Sequence, residues 1–298
     1  MSSISKKKII TILGPTASGK SNFGVKLALK FNGEIISADS RQVYEGLNIG
    51  SNKITKQEMC GIEHHLIDVA SPRIDFNIFR YQKLAYIAIN KILKKEKLPF
   101  LVGGSPLYIY AITEGWCFPS VPRNSSLRKE LSQKKTDELL EILQNLDPSY
   151  ISKIDPLNPR RLIRAIEIAK VLGKVPKLKK NPRFQTLFIG LNSSLEQLRK
   201  NIEERLDSRI KKGLINEIKN LNKQRISWKR LESFGLEYRW VAFYLQGRID
   251  QIEMSQGIVS DSMKLIKHQM AWFKKDSRIS WINNKEESEQ IIKKFLMN

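Results

Sequence analysis

A phosphate-binding pattern lies near the start of the sequence. Residues 14–21 match the pattern G-x-x-x-x-G-K-[ST], after an apolar run from Ile9 to Leu13 and before a plausible helix. In such a loop, backbone N–H groups surround phosphate oxygens, the lysine supplies a charge and the serine hydroxyl holds Mg²⁺. The pattern predicts a site for a nucleotide or another diphosphate, formed by Gly14, Pro15, Thr16, Ala17, Ser18, Gly19, Lys20 and Ser21.

Two more polar groups follow predicted strands. Asp39 ends the second apolar run, and Ser105 follows the run 99–102 and two glycines. Because the carboxyl ends of parallel strands meet at one edge of a sheet, both side chains should lie near the phosphate loop. A carboxylate there binds Mg²⁺, acts as a general base or caps a turn, and its position alone leaves these three roles open.

The order of the elements predicts an α/β fold. Apolar strands alternate with helical segments in the first third, starting with a strand over residues 8–13, and residues 77–95 carry apolar side chains at helical spacing. This alternation is typical of a parallel sheet. Further helices are expected near residues 127–146, 159–172 and 231–245, with Arg160 and Arg164 on one face of the second. Residues 116–183 are basic and helical, so we predict that they are inserted into a core formed by 1–115 and 184–298, whose last hundred residues are mostly helical. The alternative is one continuous domain with a long helical excursion.

Composition narrows the class of partner. The 298 residues include 52 Lys and Arg against 30 Asp and Glu, a net charge of +22 that points to a polyanion such as nucleic acid. A proteome with a generally basic composition is the other explanation. The two cysteines lie far apart, and no apolar run is long enough to span a membrane. Cleaving the basic N-terminus as a signal would destroy the phosphate loop, so we expect a cytoplasmic protein.

Five segments together resemble one known family, the tRNA dimethylallyltransferases. They are residues 14–21, residues 39–44, Ile49-Gly50 with Lys53, residues 101–105 and residues 158–167, and the likeness extends over nearly the whole chain. The resemblance implies transfer of a dimethylallyl group from its diphosphate to the N6 amine of adenosine 37, beside the anticodon of tRNA. It also implies a P-loop NTPase-like core and a helical insertion that grips the anticodon stem-loop.

The resemblance also assigns roles to residues. Asp39 becomes the general base, Ser105 replaces a family threonine, and Lys20 with the loop and Mg²⁺ on Ser21 holds the donor diphosphate, assisted by Arg205. We expect a monomer. The implied tRNA contacts are Asp39, Ser40, Arg41, Gln42, Ser105, Arg128, Arg160, Arg161, Leu162, Ile163 and Arg164.

Two segments depart from the family pattern. The sequence has Gly235-Leu236-Glu237 where many members have Gly-Tyr-Arg or Gly-Tyr-Lys, and Lys267-His268-Gln269 where Lys-Arg-Gln is usual.

Two other functions remain possible. A P-loop kinase of a nucleoside or small metabolite would explain the loop and the sheet but not the charge, and a non-catalytic RNA-binding protein would explain the charge but not the loop.

Overall fold

The computed structural model describes residues 7–282 and 285–297 of the chain. They form two compact units, one of residues 1–115 with 182–298 and one of residues 116–181. We call these the core and the insertion. The sequence placed the second boundary two residues later than the structure does. Within the described ranges, no helix is both long and apolar enough to cross a membrane.

The strands and helices follow one another as the alternating pattern predicts. The described strands are β1 (Lys8–Leu13), β2 (Gly33–Ala38), β3 (His64–His65), β4 (Leu98–Gly103), β5 (Trp116–Cys117), β6 (Lys179–Lys180), β7 (Gln185–Leu191) and β8 (Ile279–Ile282). The helices are α1 (Lys20–Lys30), α2 (Ile78–Lys94), α3 (Pro106–Thr113), α4 (Ser125–Leu131), α5 (Thr136–Leu146), α6 (Pro159–Leu172), α7 (Leu195–Lys211), α8 (Leu214–Lys223), α9 (Trp228–Ser233), α10 (Leu236–Leu245), α11 (Gln251–Phe273) and α12 (Lys285–Met297), and a 3₁₀ helix spans Pro148–Lys153.

Six strands of the core form one parallel sheet in the order β3-β2-β4-β1-β7-β8. The central strands are buried along almost their whole length, as expected of a sheet covered by helices on both faces. The predicted parallel α/β fold is therefore confirmed. β1 lies between β4 and β7, so the phosphate loop leaves the centre of the sheet at its carboxyl edge.

Short elements account for most differences from the expected pattern. β3 and β8 were not predicted, because two and four residues carry too little periodic signal. The single helix expected over residues 231–245 is two helices, α9 and α10. Gly235 separates them, with a φ of 72° that a helix interior does not accept.

The insertion has its own apolar core. α4, α5 and α6 bring together Leu131, Leu139, Leu143 and Ile166, all almost inaccessible to solvent. The helix expected over residues 127–146 is divided into α4 and α5. β5 and β6 pair antiparallel where the chain enters and leaves this unit. Asn158 starts α6 by accepting a hydrogen bond from the Arg161 N–H at 3.2 Å, and Pro159 occupies the first helical position.

Candidate active site

A cavity of about 890 Å³ opens at the carboxyl edge of the core sheet. Its wall is formed by the phosphate loop, the segment after β2, the turn after β4, and residues of α7, α10 and α11. These elements are distant in sequence, and the parallel sheet is what brings them to one edge. The cavity collects most of the core residues that the sequence singled out.

The phosphate loop forms one side of this cavity. Thr16, Ala17, Gly19, Lys20 and Ser21 line it, whereas Gly14, Pro15 and Ser18 lie in the same loop outside the lining. Two distant side chains hold the loop backbone. Gln269 accepts a hydrogen bond from the Thr16 N–H at 2.9 Å, and Asn201 donates to the Ala17 carbonyl at 3.0 Å. The loop is therefore fixed by α7 and α11 as well as by its own turns.

Two cations face the cavity without forming an ion pair within the described part of the chain. Burial lowers the pKa of Lys20 from 10.5 to about 8, an effect that Asp39 opposes and Arg205 reinforces. Burial and the neighbouring Arg209 lower the pKa of Arg205 to about 10. Lys20 donates to the Pro15 carbonyl at 2.9 Å, and among the described residues Arg205 has no hydrogen-bond partner. Unpaired, partly buried cations of this kind are suited to bind an anionic ligand.

Asp39 also lines the cavity, and one of its two carboxylate oxygens already accepts hydrogen bonds from the protein. Its Oδ1 accepts hydrogen bonds from the N–H groups of Arg41 at 2.8 Å and Gln42 at 3.3 Å. These bonds fix the orientation of the carboxylate. Within the described part of the chain, Oδ2 has no hydrogen-bond partner, so it is free to accept a proton from a ligand.

Ser105 lies next to this carboxylate segment. Its Oγ accepts a hydrogen bond from the Ser40 N–H at 3.3 Å, and its own N–H donates to the Ala38 carbonyl at 3.2 Å. The preceding turn also contacts the phosphate loop, because a Cβ on Gly104 would lie 3.1 Å from the Gly14 carbonyl oxygen and 3.3 Å from Cε of Lys20. The structure thus brings together the predicted donor and acceptor residues of the core.

The insertion holds the remaining predicted tRNA contacts, and they are not equivalent. Arg128 and Arg164 both donate to the carboxylate of Glu167, which is 1% exposed. Arg160 and Arg161 are exposed and form no ion pair within the described residues. Burial opposes ionisation of Glu167, but the hydrogen bonds from Arg128, from the Asn124 N–H and from Arg164 outweigh it and lower its pKa to about 2.

Two of the implied tRNA contacts have side chains packed in the apolar core of the insertion. Leu162 is fully buried in the apolar core of the insertion, and Ile163 is partly buried against the same core. Both follow Arg161 on α6, where each side chain is rotated by about 100° from the one before it, so neighbouring positions fall on different sides of the helix. These two residues hold the helix in place, and Arg160 and Arg161 are the groups it presents to solvent.

Comparison with known proteins identifies the family. The family model described as IPP transferase matches residues 42–276. The chain belongs to the IPP transferase family. It is 41% identical over 285 residues to a protein named tRNA dimethylallyltransferase 1 from Syntrophus aciditrophicus, which covers 93% of both chains. It is 40% identical over 278 residues to the protein of that name from Geotalea uraniireducens, covering 92% of both chains.

Solved structures of the family have the same fold. The full-length tRNA isopentenylpyrophosphate transferase of Bacillus halodurans superposes with a TM-score of 0.72 at 33% identity, covering 98% of this chain and 96% of that one. A eukaryotic dimethylallyltransferase described as acting on tRNA gives a TM-score of 0.77 at 28% identity, covering 89% of this chain and 69% of that one. The expected resemblance to this family is confirmed.

Sequence reasoning missed the residues that support this family site from a distance. Gln269 bridges two loops, since its Oε1 accepts from Thr16 and its Nε2 donates to the Gly104 carbonyl at 2.7 Å. Glu217, from α8, accepts three backbone N–H groups of the loop that contains Gly50. The sequence drew attention to Gln269 only as part of the segment Lys267-His268-Gln269, which departs from the family pattern. Nothing near Glu217 in sequence indicates its contacts 167–169 residues away.

Proposed function

We propose that this chain transfers a dimethylallyl group from dimethylallyl diphosphate to the N6 amine of an adenosine in tRNA. The acceptor is position 37, next to the anticodon, and the product is N6-(dimethylallyl)adenosine. The observation that carries the proposal is a single cavity that holds both a phosphate loop with Lys20 and the free carboxylate oxygen of Asp39. The relatives reported above carry names that specify this class of transfer to tRNA.

The phosphate loop would hold the donor. The bond between the allylic carbon and the diphosphate oxygen breaks, and the diphosphate leaves with the bonding electrons. Lys20, Arg205 and the loop N–H groups stabilise the charge that develops on the leaving group. Within the described residues neither Lys20 nor Arg205 forms an ion pair with a carboxylate, so their charge is available to the ligand.

Magnesium fits the donor side of the cavity. The Ser21 hydroxyl and the Asp39 carboxylate line the same cavity and offer oxygen atoms, the ligands that Mg²⁺ prefers. Ser21 would be the protein ligand. When bound, the ion supplies positive charge to the diphosphate.

Asp39 would serve the acceptor. The adenine amine is a weak nucleophile, and its attack on the allylic carbon leaves it with a proton to lose. Oδ2 of Asp39 takes that proton as the carbon–nitrogen bond forms, while Oδ1 stays bound to the Arg41 and Gln42 N–H groups. The Ser105 hydroxyl, which accepts from the Ser40 N–H, keeps its own proton to donate to the acceptor nucleotide.

The insertion would hold the anticodon stem-loop. Its exposed Arg160 and Arg161 are free to contact phosphates, and the net charge of +22 favours a polyanionic partner. The target base must leave its stack to reach a cavity, at a cost that these contacts would offset. We propose that the protein acts in the cytoplasm as a monomer.

Mass spectrometry of tRNA nucleosides tests the reaction. Unmodified tRNA is incubated with dimethylallyl diphosphate and Mg²⁺ and then digested, and the expected product is adenosine that has gained one dimethylallyl unit. Parallel reactions with ATP and candidate nucleosides test the kinase alternative. Phosphorylated product without prenylated adenosine would overturn the proposal, and RNA binding with no product in either reaction would favour a non-catalytic protein.

A further inference from the structure

The Ile49-Gly50…Lys53 segment forms a tight loop on the wall of the reaction cavity. The Asn52 N–H donates to the Ile49 carbonyl at 3.1 Å, the Lys53 N–H donates to the Asn48 carbonyl at 2.9 Å, and Asn52 has a left-handed φ of 50°. Gly50, Ser51 and Asn52 line the cavity. The roles proposed above leave this loop without a part in the reaction.

Glu217 fixes the shape of this loop. Its carboxylate accepts hydrogen bonds from three consecutive backbone N–H groups, those of Asn48 at 3.1 Å, Ile49 at 2.6 Å and Gly50 at 3.1 Å. Hydrogen bonds to an ionised carboxylate are stronger than those between neutral groups. Three such bonds in a row hold the backbone of the loop in one conformation.

Tyr238 completes this arrangement from α10. Its hydroxyl donates to Oε1 of Glu217 at 2.9 Å, and the residue is only 1% exposed. Burial and the adjacent Glu217 raise the pKa of Tyr238 well above its usual value, so the phenol stays protonated and remains a donor. The ring also lies against the loop, because a Cβ on Gly50 would be 2.6 Å from Cζ of Tyr238. Only glycine fits there.

The loop in turn orients Gln42. The Asn52 carbonyl accepts a hydrogen bond from Nε2 of Gln42 at 3.2 Å, and Ser37 donates to Oε1 at 3.3 Å. These two contacts use one N–H and one oxygen lone pair of the carboxamide, so a second N–H and a second lone pair remain for a ligand. A glutamine presents such a pair to the N6 and N7 atoms of adenine. Gln42 lines the cavity and lies three residues after Asp39.

We propose that Glu217 is a positioning residue for the acceptor base, acting through loop 48–53 on the Gln42 carboxamide. The proposal rests on the function proposed above, since it takes adenine as the acceptor. Glu217 is not part of the cavity wall formed by the described residues, and it contacts that wall through loop 48–53 and the Tyr238 hydroxyl. With Gln42 correctly oriented, the adenine amine meets Oδ2 of Asp39.

A double-mutant cycle tests the coupling between the two side chains. Rates are measured with an anticodon stem-loop RNA for the parent, Glu217→Gln, Gln42→Ala and the double variant. Glu217→Gln should lower kcat/KM for the RNA about 100-fold, the scale of a misplacement of about 1 Å, and leave the KM for dimethylallyl diphosphate unchanged. In the Gln42→Ala background the same change should cost less than about threefold, because the group it positions is already gone.

Two further variants keep the test decisive. Tyr238→Phe removes one donor to Glu217 and keeps the ring against Gly50, so it should lower kcat/KM for the RNA by about threefold to tenfold, and this loss should also vanish without Gln42. If Glu217→Gln does not fold, Tyr238→Phe takes its place in the double-mutant cycle. Glu203→Gln, an exposed carboxylate on α7, is the matched control and should leave all constants unchanged.

The possible outcomes separate this inference from the proposed function. If Glu217→Gln, or Tyr238→Phe in its place, costs the same factor with and without Gln42, the role of Glu217 is merely structural and the inference is overturned. A rise in the KM for the donor in these variants also overturns it. A parent protein that forms no prenylated adenosine overturns the proposed function itself, before any variant is compared.

Discussion

Among the described residues, Lys20 and Arg205 in the core face their cavity without an ion-paired carboxylate, whereas Arg128 and Arg164 in the insertion share the buried carboxylate of Glu167. Leaving a partly buried cation unpaired costs free energy in the unliganded protein, and the lowered pKa values of Lys20 and Arg205 reflect that cost. A cost of this kind persists where a ligand compensates for it, which is typical of a functional site.

Arg128 and Arg164 differ from these cations, because each is paired with a carboxylate. Glu167 is held ionised by Arg128 and Arg164, and removal of either arginine would leave a buried charge without one of its partners. Their positive charge already serves the packing of α4 against α6. Of the four predicted arginine contacts in the insertion, Arg160 and Arg161 are the two that are exposed and form no ion pair within the described residues. Arginines that lie close together in sequence, such as Arg161 and Arg164, therefore have different roles: the first is exposed and the second pairs with a buried carboxylate.

The largest expected effect tests whether the chemistry belongs to the core. Asp39→Ala should lower turnover by about 10²–10⁴, because a general base acts in the transition state, and should leave tRNA affinity within about twofold of the parent. Single-turnover rates and binding isotherms check the two halves. Turnover close to that of the parent would exclude Asp39 as the base.

The second expected effect tests the unpaired cations. Lys20→Ala should lower kcat/KM for the donor by about 10²–10³, the scale found when one donor to a developing anion is removed. Unlike Asp39→Ala, it should also weaken donor binding, since Lys20 contacts the diphosphate before and after the bond breaks. Titration of dimethylallyl diphosphate measures this. An unchanged donor affinity would mean that the loop is not the donor site.

The residues of this site that could be predicted from the sequence are those that lie beside a recognisable strand, loop or helix in the chain. The strand, loop and helix around Lys20 follow one another directly, and Asp39 and Ser105 each lie just after a strand, so the rules for parallel sheets place them together. The same local reasoning predicted β1 and α6 with their correct bounds.

The missed features depend on tertiary packing. Gln269 contacts Thr16 across 253 residues and Glu217 contacts Ile49 across 168, and no spacing rule connects positions so far apart. Helical periodicity showed that Arg160 and Arg164 share one side of α6. It did not show that Glu167 would be buried and would take Arg164 for itself, because burial depends on how α4 packs.

The third prediction sharpens the distinction between the arginines of the insertion. Arg160→Ala with Arg161→Ala should weaken tRNA binding about tenfold to fiftyfold and flatten the slope of log K against log[salt] by about 1.4–1.8, if each arginine contacts one phosphate. Donor affinity should not change. Binding isotherms over a salt series measure the slope.

Arg164→Ala is the matched comparison on the same helix. It should lower the free energy of unfolding by about 1.5–3 kcal/mol, because Glu167 loses one charged hydrogen-bond partner and keeps Arg128, and should leave the salt slope of the folded protein unchanged. If the slope of log K against log[salt] did not change in the double variant, Arg160 and Arg161 would not contact tRNA phosphates and would be ordinary surface charges.

The smallest expected effect is a pH dependence of donor binding that comes from Lys20. Its pKa in the unliganded protein is lowered to about 8 by burial, and an anionic diphosphate, which favours the ammonium form, would raise that pKa. Below about pH 8 the free lysine is already charged, so this group adds no pH dependence. Above about pH 8 binding requires uptake of a proton, and affinity should fall by up to about tenfold per pH unit.

Calorimetry in buffers of different ionisation enthalpy measures the proton uptake directly, and Lys20→Ala is its control, since it should bind weakly at every pH without this uptake. Arg160→Ala should keep the uptake of the parent, because Arg160 is exposed and does not line the cavity. If proton uptake persisted in Lys20→Ala, the titrating group would lie elsewhere. The buried, unpaired lysine would then no longer distinguish the core from the insertion.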